Sequence, residues 1–315
     1  MKLEKIQFKN DEISLAGKLA MPINEKRNPL IIVAHTSGSA TKDSEVYQHL
    51  IDILPKNGFA VFIFDRRGSG ESTGNFENAT FLDLASDIIA SIDLLKRRNN
   101  IDSNKIGIWG LSQGGWIAPL VASESEDVSF IIPISSSGVS PAEQMDYSAE
   151  FELRDHGFSE KKVKLMLNIR KFVNQYFRGE KDNFEVLNEV ELVRNEDWFK
   201  FAYLDGELPK NPSETKWFQE LDFTPIPVIK KICIPVLLLY GEKDPWVPIQ
   251  KSIEIWKNYG PKDLNIQQIK GANHFMRSIT KSGLRNDTGI ISKEYIDVLL
   301  HWLNNLYSKE SINHL

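Results

Sequence analysis

Residues Lys105 to Trp116 read KIGIWGLSQGGW. Ile106, Ile108 and Trp109 make a short β-prone run, Gly110-Leu111-Ser112-Gln113-Gly114 follows, and Trp116, Ile117, Leu120 and Val121 then recur at helical spacing. The stretch predicts a strand, a sharp turn and a helix. A serine on such a turn is held at the C-terminal edge of its strand with its hydroxyl exposed, and glycines flank it because side chains there would crowd the turn. A nucleophilic serine requires this setting. A Gly-rich turn whose serine merely caps the helix has the same local pattern, so the remainder of the chain has to decide.

On either side the strands repeat. Leu3 to Phe8 and Ile13 to Ala20 alternate apolar and polar around Asn10-Asp11, which predicts an antiparallel hairpin at a sheet edge. Leu30 to Ala34, Phe59 to Phe64, Val128 to Ile134 and Pro235 to Tyr240 are continuous apolar runs, the mark of strands buried on both faces. Between them lie helical patterns: Ser44 to Asn57, closed by Gly58; the amphipathic Phe81 to Leu95; and the helix after Ser112, which Pro119 interrupts. A helix at Ile249 to Tyr259, a strand at Leu264 to Ile269 and a C-terminal helix with Tyr295, Ile296, Leu299, Leu300, Leu303 and Leu306 complete the pattern. Strand, helix, strand in alternation predicts an α/β fold with a mostly parallel sheet flanked by helices.

The alternation breaks off at Ser135. Residues 140–228 carry helical signals only and are expected to form a helical cap, inserted into a core made of 1–139 and 229–315. The cap holds 14 of the 32 aromatic residues, so it needs large side chains either for its own small core or to line a pocket over the site. Phe151, Phe158, Phe177, Trp198, Phe199 and Tyr203 are the candidates for such a lining.

Composition narrows the function. The 315 residues, 41% of them hydrophobic, are enough for a sizeable core. No apolar run approaches the roughly 20 residues of a membrane span. A net charge of −5 and a pI near 5.8 give no footprint for nucleic acid or anionic lipid, which leaves a small molecule as the expected partner, with a homo-oligomer possible. The N-terminal residues lack a signal-peptide core, so the expectation is a cytoplasmic protein, or an exported one whose signal peptide lies outside this sequence. The single cysteine, Cys233, is expected to be a small core residue.

A serine hydroxyl is a weak nucleophile at neutral pH; it needs an imidazole to take its proton and a carboxylate to orient that imidazole. Of six histidines, His49, His301 and His314 lie in helical or terminal surroundings and His156 lies in the insertion. His35 comes too early, whereas His274 sits in a turn after the last strand, able to reach back over the sheet edge. Asp244 stands in the loop after the preceding strand, giving the chain order Ser112, Asp244, His274. For an oxyanion the expected donors are the amides of Gln113, just past the serine, and of Ser37, in the loop after Leu30 to Ala34.

Five segments together resemble the α/β-hydrolase superfamily: Ala34-His35-Thr36-Ser37-Gly38-Ser39; Asp65-Arg66-Arg67-Gly68-Ser69-Gly70-Glu71-Ser72; Gly110-Leu111-Ser112-Gln113-Gly114-Gly115-Trp116-Ile117-Ala118-Pro119; Gly241-Glu242-Lys243-Asp244; and Gly271-Ala272-Asn273-His274. Within it the chain is similar to bacterial carboxylesterases of the EstD type, which carry a helical insertion before the acid strand. The resemblance covers nearly all of residues 1–134 and 229–306 and is weaker in the insertion. It implies an α/β-hydrolase fold and a serine carboxylesterase that cleaves short to medium carboxylic esters through an acyl-enzyme intermediate, without metal or organic cofactor. Peptidase, amidase or thioesterase action with the same triad is the alternative, and a non-catalytic ligand-binding protein on the same scaffold is a second. Thr36 departs from the glycine that relatives often carry after the loop histidine. The Asp65 to Ser72 loop is expected to support the site by packing.

Overall fold

The computed structural model describes residues 1–38, 40–204, 208–279 and 289–308; Ser39, which closes the first of the five segments above, and His314 lie outside them. The chain opens with the expected hairpin, β1 (Lys2–Asn10) and β2 (Ile13–Met21), paired from Lys2↔Met21 to Asn10↔Ile13. Asp11 takes φ +50° in its tight turn. Next come β3 (Asn28–Ala34), α1 (Glu45–Ile53), β4 (Ala60–Phe64), α2 (Phe81–Leu95), β5 (Ile101–Leu111), α3 (Gln113–Glu124) and β6 (Val128–Ile134). Pro55, which has no N–H to continue a helix, opens a 3-10 turn after α1, and Gly58 closes it at φ +87°.

The strands form one eight-stranded sheet. Adding β7 (Val236–Gly241) and β8 (Leu264–Ile269), the spatial order is β1-β2-β4-β3-β5-β6-β7-β8, antiparallel as far as the β2–β4 pair and parallel from β4 onward. Alternation along the central strands divides the core in two. In β3, Leu30, Ile32 and Ala34 join Phe62 and Phe64 of β4 on one face, while Ile31 and Val33 join Val61 and Ile63 on the other. α2 and α3 pack on the first face, together with α9 (Ile249–Tyr259); α1 and the C-terminal helix cover the second. This is the α/β architecture expected from the alternating pattern.

Between β6 and β7 the described residues hold helices and no strand: α4 (Pro141–Asp155), α5 (Glu160–Phe177), α6 (Asn183–Val193), α7 (Lys216–Glu220) and α8 (Ile226–Ile229), followed after β7 by α9 and, after β8, by α10 (Lys293–Ser308). Ser140, Ser159 and Asp182 start α4, α5 and α6 by accepting the backbone N–H groups of Glu143, Lys162 and Glu185. These helices share an apolar cluster of their own, in which Trp198 and Phe199 are buried with Val163, Met166 and Val186. Two of the six candidate pocket aromatics therefore serve the core of the insertion. Cys233 also differs from expectation: it is exposed, because its neighbours Ile229 and Ile232 take the inward positions of the turn before β7.

The insertion is tied to the core through α7. The Glu220 carboxylate accepts the N–H of Phe81 at the start of α2, and Phe223 packs edge-on against the Phe81 ring at 5.2 Å. Burial pushes the Glu220 carboxyl up to about 7, while the Phe81 N–H and Lys216 pull it the other way. A carboxyl raised on folding stabilises fully below its unfolded value near 4.5, and that contribution is lost as pH rises through about 7. Glu220→Gln keeps an acceptor for Phe81 and removes the charge. Denaturant unfolding at pH 5 and pH 8 should show the variant gaining about 1–3 kcal/mol on the native protein at pH 8 and nothing at pH 5; equal curves at both pH values refute this assignment.

Candidate active site

Ser112 stands between β5 and α3 at φ +57°, ψ −113°, a conformation that a non-glycine residue holds only under constraint from its surroundings. The constraint is visible: its N–H donates to the Ile134 carbonyl at 2.8 Å, and its own carbonyl accepts the Gly115 N–H at 2.8 Å. A side chain at Gly114 would place its Cβ 2.2 Å from the Ala34 carbonyl oxygen. The turn can thus lie flat against the end of β3 only with glycine there. Ser112 itself is half-buried.

Gln113 is the first residue of α3, where a backbone N–H has no intrahelical acceptor and the helix dipole favours negative charge. Its side-chain Oε1 is buried with no hydrogen-bond partner. Ser37 lies exposed in the loop directly after β3. Since Ala34 pairs with Gly110 across β3 and β5, that loop and the serine turn leave the sheet side by side.

Asp244 and His274 come together from two further strand ends. Nδ1 of His274 and Oδ2 of Asp244 are 2.8 Å apart, with the side chains 2% and 0% exposed. Asp244 Oδ1 also accepts the Trp246 N–H at 2.9 Å, which fixes the carboxylate in its turn. At Gly241 the crossing chain leaves no room, a Cβ falling 2.2 Å from the Asn273 carbonyl. The Asn273 side chain accepts the N–H groups of Phe275 and Arg277 and folds the histidine loop. The His274 ring is walled by Trp246 and Phe275, at centroid distances of 4.7 and 5.2 Å. His35, the other strand-end histidine, is committed elsewhere. Its Nε2 donates to the Phe64 carbonyl at 2.6 Å, and burial with the adjacent Arg66 charge lowers it to about 3, so the ring is neutral.

Three positioning groups were not picked out from the sequence. Ser135 Oγ donates to the His274 carbonyl at 2.8 Å. The Tyr47 hydroxyl accepts the Thr36 N–H at 2.9 Å. The third is Arg66, 3% exposed, which donates from Nη1 to the Gly38 carbonyl at 2.9 Å and from Nη2 to those of His35 and Thr36 at 3.2 and 2.8 Å. The Asp65 to Ser72 loop therefore supports the Ser37 loop by directed hydrogen bonds rather than by packing. Only the DRRGSG pattern at a strand end hinted at this in the sequence. Burial lowers the Arg66 guanidinium to about 10, which leaves it cationic at neutral pH. Among the described residues no group of His, Cys, Asp and Glu is arranged to hold a metal ion, and no helix is long and apolar enough to cross a membrane.

Of the cap aromatics, Phe151 lines a cleft of about 530 Å³ with Tyr147 and Asp244, and Phe177 and Tyr203 line a separate cavity within the cap. Phe158 packs edge-on against Phe201 at 5.9 Å.

A sheet of this order, with a strained serine between strand and helix and a buried carboxylate–imidazole pair at neighbouring strand ends, defines an α/β hydrolase. The chain belongs to the BD-FAE family, whose model matches residues 18–259. It is 22% identical over 304 residues to the esterase EstD of Thermotoga maritima, covering 92% of this chain and 65% of that protein. Among solved structures it is similar to the α/β hydrolase GrgF from a Penicillium species, with a TM-score of 0.62 at 15% identity and 98% of both chains covered. Est1E from Butyrivibrio proteoclasticus, solved with ferulic acid, superposes with a TM-score of 0.60 at 18% identity over 96% of this chain and 98% of that one. The family resemblance carried by the five sequence segments is thereby borne out.

Arg66 makes a testable contribution. Arg66→Met releases the carbonyls of His35, Thr36 and Gly38 and should slow labelling of Ser112 by a fluorophosphonate roughly 10-fold or more, whereas loss of an oxyanion donor outright costs on the order of 10²–10³. Ser112→Ala should abolish labelling. An unchanged labelling rate in Arg66→Met would show that the loop holds its shape without the guanidinium.

Proposed function

We propose that the chain is a serine carboxylesterase acting on small-molecule esters of short to medium acyl length. The observation that carries this is the buried Asp244–His274 pair, 2.8 Å apart, on the same sheet edge as a serine held at φ +57°. In this reading Ser112 Oγ attacks the acyl carbon while His274 Nε2 accepts its proton. Asp244 holds the Nδ1–H and stabilises the imidazolium that forms. The N–H groups of Gln113 and Ser37 hold the oxyanion, and His274 returns the proton to the departing alcohol. Water, deprotonated by His274, then releases the acid from the acyl-enzyme. Each proton moves between groups of this chain and the substrate, so the sequence of steps needs no cofactor.

The similarity to the esterase EstD supports ester over amide as the bond cleaved. The cap aromatics at the cleft beside Asp244 support an apolar substrate. Residues 140–228 act as the lid in this reading, over a core of 1–139 and 229–315. A cytoplasmic setting accords with a single, exposed cysteine that leaves no internal disulfide.

The test is hydrolysis of p-nitrophenyl esters from acetate to a long acyl chain. The native protein should turn over the short and medium members with an optimum among them, and Ser112→Ala should lose at least 10³-fold in kcat/KM. A native protein inert to every ester yet labelled at Ser112 by a fluorophosphonate would transfer the triad to peptides or thioesters. Neither turnover nor labelling would leave a binding protein.

A further inference from the structure

Within the cap lies a cavity of about 390 Å³, at the lower end of the range that small-molecule sites occupy. One wall is the α5 face formed by Arg170, Val173, Asn174 and Phe177, whose spacing places them on consecutive turns. Met145, Trp217 and Leu221 stand among the residues that complete it. The Leu221 carbonyl accepts the N–H of Ala142, so the cavity is rooted where the chain leaves β6 for the cap.

Two polar groups break this mostly apolar lining. Asn174 is 6% exposed, and its carboxamide makes no hydrogen bond to any described residue. Its amide atoms are not sealed off but open onto the cavity they line, so the carboxamide offers a donor and an acceptor to an occupant. One turn earlier, Arg170 is 1% exposed; its Nε donates to Asp146 and its Nη1 to the Ala202 carbonyl, both at 2.6 Å. These contacts leave Nη2 available. Asp146, 35% exposed, pairs directly with Nε and offsets part of the guanidinium charge, so what Nη2 offers an occupant is a directed N–H donor.

We propose that this cavity binds a medium-chain carboxylic acid, its carboxylate taken by Arg170 Nη2 and the Asn174 amide N–H and its alkyl chain by Val173, Phe177 and Leu221. Guanidinium and amide donors match the two oxygens of a carboxylate, and the volume suits a chain of roughly six to ten carbons. Ester hydrolysis as proposed above releases such an acid, so the site is placed to retain or sense product; binding itself requires no turnover.

The test uses Ser112→Ala protein titrated calorimetrically with octanoate and with 1-octanol. Octanoate should bind saturably and at least 10-fold more tightly than 1-octanol. Added Asn174→Leu should weaken octanoate at least 10-fold while leaving the melting temperature equal or higher, and Val190→Phe, which fills the cavity from α6, should weaken it comparably. Absence of octanoate binding, binding indifferent to both substitutions, or a lower melting temperature for Asn174→Leu overturns the proposal. Because Ser112→Ala is used throughout, such a failure is independent of the esterase assay, and an inert native enzyme leaves this site untouched.

Discussion

Two consecutive residues at the end of β6 hold both halves of the site. The Ile134 carbonyl takes the N–H of Ser112, and Ser135 Oγ donates to the carbonyl of His274, 139 residues further on. Ser135 stands at φ +47° and its N–H bonds to the Leu239 carbonyl of β7. Left-handed backbone at a non-glycine residue costs about 1–2 kcal/mol, and it persists here because three hydrogen bonds over-determine it. The neighbouring serine extends the same joint. Pro119 has no N–H to offer the Gly115 carbonyl one turn back in α3, and Ser136 Oγ donates to that carbonyl at 2.9 Å instead. The Ser136 carbonyl in turn accepts the Tyr240 hydroxyl. A helix defect, a strained turn and the backbone at Ser112 are thus stabilised by one short polar segment.

The Asp65-Arg66-Arg67 segment distributes support differently, each side chain serving another part of the molecule. Asp65, fully buried, accepts the backbone N–H groups of Lys42 and Glu71 and the Lys42 ammonium at 2.7 Å, and so closes its own loop onto the start of α1. Arg66 holds the loop after β3. Arg67 turns away to α2, gripping Asp87 at 2.7 and 2.8 Å and Asp83 at 2.8 Å. Ion pairs of this kind add little net stability against an apolar replacement, because desolvating the charges offsets their attraction. Their geometric consequence is larger: removing one partner strands the other, so the loop has few alternative shapes. Rigid placement of a backbone amide is what oxyanion binding requires.

The cap obeys weaker constraints. It has its own apolar cluster and meets the core through a carboxylate at the α2 N-terminus and a ring contact. A layer of short helices with a separate core can change its lining residues without disturbing the sheet, which is where substrate preference can vary on a fixed scaffold.

Much of the fold was legible in the chain because burial leaves a periodic trace. Continuous apolar runs marked β3, β4, β6 and β7, three- and four-residue steps marked α2 to the residue, and turn formers at strand ends located Ser112, Asp244 and His274. What the sequence could not determine by itself was which strand ends meet. β3 inserts between β4 and β5, so the Ser37 loop and the serine turn become neighbours, and no local pattern records that order. The same holds for Ser135, Tyr47 and Arg66: their hydrogen bonds join residues 11 to 139 positions apart and leave no periodic trace. Trp198 and Cys233 show the complementary case, since whether an apolar side chain lines a pocket, fills a core or faces solvent depends on what packs against it. Local chemistry named the candidate groups; tertiary packing decided which backbone atoms hold them.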